Sequence, residues 1–494
     1  MSGHGKRGTP IRWILAYAAL ALVVAGAAVA FLWNPAEDRG PLQVIDIPKP
    51  APFALIEGDD AAVVVPNGEP GAVSFALSAA LYESAPAVIV ASPDTLADAA
   101  SEAATPLPIL VLPAEPGEGD LAALRAESER LQATGWIAHG VSLPDEFTAP
   151  RLQVETAAAH RTVLVDGDPT AVQLLLGGTD WTVIESTGDP RASGPVIEAL
   201  AEAPDSPAVV VGNGSADIQW QIATARTGQL LPTGTQIAAP DALYVALYGH
   251  PWGGSLGVLG EQGVAETIVR AEKHAAPYRE LVDVPVIPSL EIIATVASAS
   301  AGADGDYSAE TPIEDLLPLI DAAGEAGMYV VIDLQPGRTD FLTQAKMYEE
   351  LLLRPYVGLA LDPEWRIKPD QVHLVQIGQV DAAEINTVVE WLADLTRANS
   401  LPQKIFILHS FQTRMITNID QVNTSRSELA TVMHVDGQGG QGAKQDTWRV
   451  LHNYAPNIEN WGWKNFYDED TPAMLTPSQT IELVHPRPLF ISYQ

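Results

Sequence analysis

The stretch Leu361-Asp362-Pro363-Glu364-Trp365 sets two carboxylates two residues apart at the end of an apolar run. In an extended strand, residues two apart point to the same face, so Asp362 and Glu364 are expected in one site. Two carboxylates held close together split their pKa values, leaving one protonated and the other charged. Glycoside hydrolysis needs that division: an acid for the leaving oxygen and a carboxylate to stabilise or attack the sugar. Glu364, Asp362 and Asp333 are the candidate catalytic carboxylates, and the spacing alone does not say which one is the acid. The same residues also suit a plainer role, since Asp-Pro-Glu at a strand end reads equally as a turn with a helix N-cap.

Other polar side chains stand at the ends of other apolar runs. His250 and Trp252 follow the first run, and Glu291 lies in the second. Asp333 and Gln335 close the third, His409 ends the fifth, and His434 and Asp436 end the sixth. Trp461 and Trp463 fall in the seventh. Coincident polar run-ends point to one binding mouth. We assign His250, Glu291, Gln335, His409, His434 and Asp436 to substrate binding. Trp252, Trp365, Trp461 and Trp463 are read as platforms for sugar rings, although Trp461 and Trp463 also suit a core cap.

His250, Asp333, Glu364, His409 and His434 could together hold a metal, but no His-x-His lies on the first run and no His-Glu-x-x-His occurs, so no catalytic metal is assigned. No cofactor is assigned either. Asp436-Gly437-Gln438-Gly439-Gly440-Gln441-Gly442 carries a G-x-G-x-x-G after an apolar run, but no βαβ unit with an acid at its second strand follows, so it reads as a flexible loop over the mouth.

The elements that must position these residues are eight strand-like runs: Ala242–Tyr248, Val286–Ala294, Tyr329–Leu334, Val357–Leu361, Lys404–Leu408, Leu429–Val435, Asn460–Phe466 and Leu489–Tyr493. Amphipathic stretches at 313–326, 342–353 and 382–398 separate several of them. About 250 residues with this alternation predict a (β/α)₈ barrel, a TIM-like domain, over 241–494. The seventh and eighth connections are short on helix. Residues 53–240 also alternate short apolar strands with Ala-rich helices, which predicts a parallel α/β domain.

Residues 34–52 are rich in Pro and charge and read as a stalk. Trp13 to Trp33 runs uncharged for 21 residues, about 31 Å as a helix and the thickness of a bilayer core. The basic tail 1–12 before it predicts a single-pass transmembrane anchor with the N-terminus inside and residues 34–494 extracytoplasmic. The alternative is secretion after signal cleavage near Ala28-Val29-Ala30. The whole chain of 494 residues carries 62 acids and 27 bases, a net charge of −35. That balance excludes a general nucleic-acid binder, which needs clustered Lys and Arg. With no cysteine in the sequence, disulfides, thiolate catalysis and iron–sulfur chemistry are excluded too.

The α/β region resembles the type-2 cell-wall-binding repeat of bacterial surface proteins. The residues that carry the resemblance are 72–77 (AVSFAL), 84–91 (SAPAVIVA), 106–111 (PLPILV), and 207–211 followed by 222–226. It implies retention on anionic cell-wall polymers. The 241–494 region resembles family 18 chitinase-like and family 25 muramidase-like barrels, through Leu361-Asp362-Pro363-Glu364-Trp365. That resemblance implies that Glu364 protonates the leaving oxygen and that Asp362 orients a substrate acetamide. The match departs at Ala360, where family 18 carries a further acid. Together these readings predict a membrane-anchored glycoside-hydrolase-like protein acting on or near cell-envelope polysaccharide. The alternative is a non-catalytic, wall-associated carbohydrate-binding protein.

Overall fold

The computed structural model describes residues 54–55, 62–65, 67–103, 107–147, 161–212 and 214–494. The segments 13–33 and 34–52, expected as an anchor and a stalk, lie outside the described residues. Among the described residues no helix is long and apolar enough to cross a membrane.

Eight parallel strands close into a barrel: β1 (Leu243–Gly249), β2 (Val286–Ala297), β3 (Tyr329–Leu334), β4 (Val357–Leu361), β5 (Lys404–His409), β6 (Leu429–Val435), β7 (Asn460–Asn465) and β8 (Phe490–Tyr493). Each pairs with the next, and β1 pairs with both β2 and β8, which removes any free edge. Ser308–Glu310 adds an antiparallel rung outside the end of β2. Each of the eight runs marked in the sequence overlaps one of these strands, with ends that differ by at most three residues.

Side chains alternate between two layers, as the pleat requires. Leu243, Val245, Leu247, Leu359, Leu361, Phe406, Leu408, Trp461 and Trp463 face outward and join the helices in one apolar cluster. Tyr244, Ala246, Tyr329, Val331, Ala360, Ile405, Ile407, Val432 and Phe490 share a second cluster inside the barrel. Tyr244 and Tyr329 meet edge to face at 5.4 Å and plug its lower end.

The helices Ile313–Glu325 and Ala382–Ala398 cover the barrel close to where the sequence pattern put them. The 342–353 stretch splits into Phe341–Met347 and Glu349–Leu352. The seventh connection carries only the short helix Pro477–Leu483. The connection with no α-helix is the one between β5 and β6, where a single 3₁₀ turn, Ile419–Gln421, stands instead.

Before the barrel lie two small parallel sheets. One has the order Ile109–Val111, Ala87–Ala91, Gly135–His139; the other Ala62–Val65, Ala208–Val211, Thr162–Asp166, Thr182–Ser186. The strand Gly135–His139 carries no marked alternation. This region rests on the lower barrel face, where the strands begin. Arg397 at the end of the helix before β5 pairs with Asp217 at 2.8 Å, and Arg191 donates to the Ser427 carbonyl just before β6. Gln403, directly before β5, donates from its backbone to the Gln236 carbonyl.

Candidate active site

The inward positions change character halfway up the barrel. Below they are apolar. Above, the same alternation delivers Tyr248, Glu291, Asp333, Asp362, His409, His434, Lys464 and Ser492, one from each strand or its end, all buried. A cleft of about 660 Å³ opens over this layer at the strand C-termini. Asp362, Glu364, Trp365, Gln335 and Asp436 line it, as do Tyr248, Phe411, Lys444 and Lys464.

Beneath the cleft, His409 is the hub. Its Nδ1 lies 3.0 Å from Asp436 Oδ2, its Nε2 2.9 Å from Glu291 Oε1, and Asp333 Oδ1 stands 3.8 Å from the same Nε2. Burial alone would lower the imidazole pKa, but Glu291 and Asp333 outweigh it and hold His409 well above its ordinary value. His434 is pushed the other way, down to about 3 by burial, and its Nε2 meets Ser492 Oγ at 3.1 Å. Tyr248 donates from its hydroxyl to Asp333 Oδ2 at 2.9 Å, and the Lys464 ammonium stands 3.3 Å over the Tyr248 ring.

The carboxylates divide. Burial, then the nearby Asp436 charge, pushes Glu364 up to about 7, against the pull of Lys464 and His409. Asp333 is raised to about 6, mainly by burial. Asp362 is raised well above its ordinary value, again mainly by burial, with Asp333 and Asp436 adding to it. Asp436 goes down: burial opposes ionisation, but the His409 hydrogen bond and charge overcome it. Among the acids lining the cleft, the contrast is therefore between a protonated Glu364 and a charged Asp436.

Asp362 and Glu364 share the cleft, but not for the reason the spacing suggested. The strand stops at Leu361, and Pro363–Trp365 form a 3₁₀ turn. Asp362 Oδ1 accepts from the Glu364 backbone at 3.1 Å, so the N-cap role is real and occupies one of its oxygens.

Four sequence assignments are not brought to the site. His250 is half-buried away from the cleft, with Nε2 3.1 Å from Thr311 Oγ1. Trp252 is 60% exposed and packs beside Pro251 and Val264, outside the cleft. Trp461 and Trp463 share the outward parity of β7 and are buried against Trp448 of the helix Gln441–Tyr454. Trp461 also stacks on His452 at 3.5 Å. They are core residues and present no face to a sugar. Glu291, Asp333, His409 and His434 lie under the cleft floor and do not line it.

Two cations were missed. Lys464 directly follows Trp463, and period-two reading turns it inward once the tryptophans face out. Lys444 rises from the helix after the glycine loop and is held by Asp470, 2.6 Å away, and by the Lys464 carbonyl. No local pattern marks it. Gly437 and Gln438 of that loop line the cleft.

No family model matches the chain, and no curated protein matches it. Among solved structures, it is similar to a xylanase-A-amylase inhibitor protein at 12% identity and TM-score 0.32, over 51% of this chain and 92% of the other. It is also similar to a hyperthermophilic endo-beta-1,4-glucanase in complex with substrate. That match has 12% identity and TM-score 0.26, and covers 45% of this chain and 80% of the other. The barrel is established by the strand order of this chain. The cell-wall-binding-repeat resemblance gains nothing from these comparisons.

Proposed function

We propose that the barrel is a glycoside-hydrolase-like domain in which Glu364 is the general acid. The observation that carries this reading is the position of Glu364. It is half-buried in an open cleft at the strand C-termini, and its carboxyl is held protonated to about pH 7. A catalytic acid needs a pKa near its working pH.

Asp436 shares the cleft and is anchored by His409, which makes it the better partner carboxylate than Asp362, whose oxygen caps a turn. In the hydrolytic step, Glu364 gives its proton to the glycosidic oxygen as that bond breaks. Asp436 either attacks the anomeric carbon or takes a proton from the attacking water. Gln335, Lys464 and Lys444 supply donors for sugar hydroxyls, and Trp365 supplies an apolar face. The apolar 13–33 segment, read as an anchor, favours cell-envelope polysaccharide as the substrate.

A second reading, a carbohydrate-binding barrel without turnover, is favoured by the capping role of Asp362 and by Ala360, where the family 18 pattern has an acid. The full-length chain with bacterial wall and simple glycans separates the two. Release of reducing ends that Glu364→Gln lowers at least 100-fold supports hydrolysis. Co-sedimentation without release supports binding alone.

A further inference from the structure

Glu291, His409 and His434 come one each from β2, β5 and β6, and each turns one ligand-capable atom toward a common point under the cleft floor. These atoms lie within 4.8 Å of one another. Glu291 Oε1 is 2.9 Å from His409 Nε2 and 3.7 Å from His434 Nδ1. A tetrahedral site with bonds of about 2.1 Å has edges of about 3.4 Å, which these distances straddle.

The far nitrogen of each imidazole is already held. His409 Nδ1 faces Asp436 Oδ2 at 3.0 Å, and His434 Nε2 faces Ser492 Oγ at 3.1 Å. Metal-bound histidines keep such a partner on the ring nitrogen that does not bind the metal.

A second observation is independent of those distances. His434 Nδ1, Glu291 Oε2 and Asp333 Oδ1 are all buried without a hydrogen-bond partner. His434 Nδ1, 3.7 Å from Glu291 Oε1, and Asp333 Oδ1, 3.8 Å from His409 Nε2, both face the cluster. Such buried orphans are costly. One cation satisfies both.

We propose that Glu291, His409 and His434 bind one divalent first-row transition ion of the Zn²⁺ type, with Asp333 closing the fourth position. Two imidazoles and a carboxylate prefer such an ion to Mg²⁺ or Ca²⁺. The ligands do not line the cleft, so the ion fixes the floor, and the assignment does not depend on the hydrolase reading. His409 then keeps its Nδ1 proton toward Asp436, so the cleft carboxylate retains its donor. Ligands drawn one per strand leave no His-x-His or His-Glu-x-x-His in the sequence.

The test uses the full-length chain in detergent, stripped with a chelator and titrated with Zn²⁺ or Co²⁺. Wild type is expected to bind about one equivalent with a rise in Tm, and Co²⁺ should give a visible d–d band. Glu291→Gln and His434→Gln, with wild-type circular dichroism, should bind at least 10-fold more weakly. No stoichiometric uptake by wild type, or equal uptake in both variants, overturns the site. Should both variants misfold, Ser492→Ala decides. Binding 10–100-fold weaker in that variant supports the site, and unchanged affinity overturns it.

Discussion

Glu364→Gln should make the protein more stable at alkaline pH, even though it removes the proposed acid. The carboxyl is raised from 4.5 to about 7 in the folded chain. The folded state therefore holds a proton that the unfolded state releases between those values. Stability falls as pH rises through that window, because the folded state binds more protons there. The full shift is worth about 3 kcal/mol above pH 7, at about 1.4 kcal/mol per unit, and under about 1 kcal/mol at pH 5. Glutamine has the same shape and no charge, so it relieves the penalty only where the glutamate is ionised. Solvent at the cleft mouth screens part of it, leaving about 2–3 kcal/mol, or about 4–12 °C in Tm for a domain this size. Calorimetric scans of both proteins at pH 5 and pH 8 read this directly. A Gln variant no more stable at pH 8 than at pH 5, relative to wild type, would show that Glu364 is not desolvated. The argument for it as an acid working near neutrality would then fall.

Trp461→Ala should lower stability by about 3–5 kcal/mol, since it empties a buried slot against Trp448 and His452. Trp365→Ala should leave Tm nearly unchanged and weaken glycan binding in a sedimentation assay; the opposite assignment of the two effects would contradict the placement of these side chains. Gly462→Ala puts a Cβ 2.6 Å from His434 Cδ2, so it should cost about 1–3 kcal/mol in denaturant unfolding. A neutral Gly462→Ala would mean that the imidazole has room to move.

Much of the barrel was legible because a closed parallel sheet imposes two strict periods, and both leave marks. Outward Val357, Leu359 and Leu361 alternate with inward Gly358 and Ala360 in β4, and outward Leu243, Val245 and Leu247 with inward Tyr244, Ala246 and Tyr248 in β1. The upper inward layer followed from the same marks: Glu291, Asp333, His409 and His434 sit on the parity of the apolar residues below them. The errors have local causes. Pro363 ends the strand one residue too early for an extended Asp362–Glu364 pair, so that argument reached the cleft by the wrong geometry. Reading Trp461 and Trp463 by chemical type instead of parity also hides the inward turn of Lys464, the residue after them. His250 and Trp252 lie in a loop, where no period fixes direction. Lys444 depends on a helix crossing the mouth, which is tertiary information.

The α/β region grips the barrel where its strands begin, through Arg397–Asp217, Arg191–Ser427 and Gln403–Gln236. The cleft opens where the strands end. The molecule thus has two poles, with the α/β region at the one opposite the cleft. No α/β residue lines the cleft, so a long polymer can lie across the mouth without meeting that region.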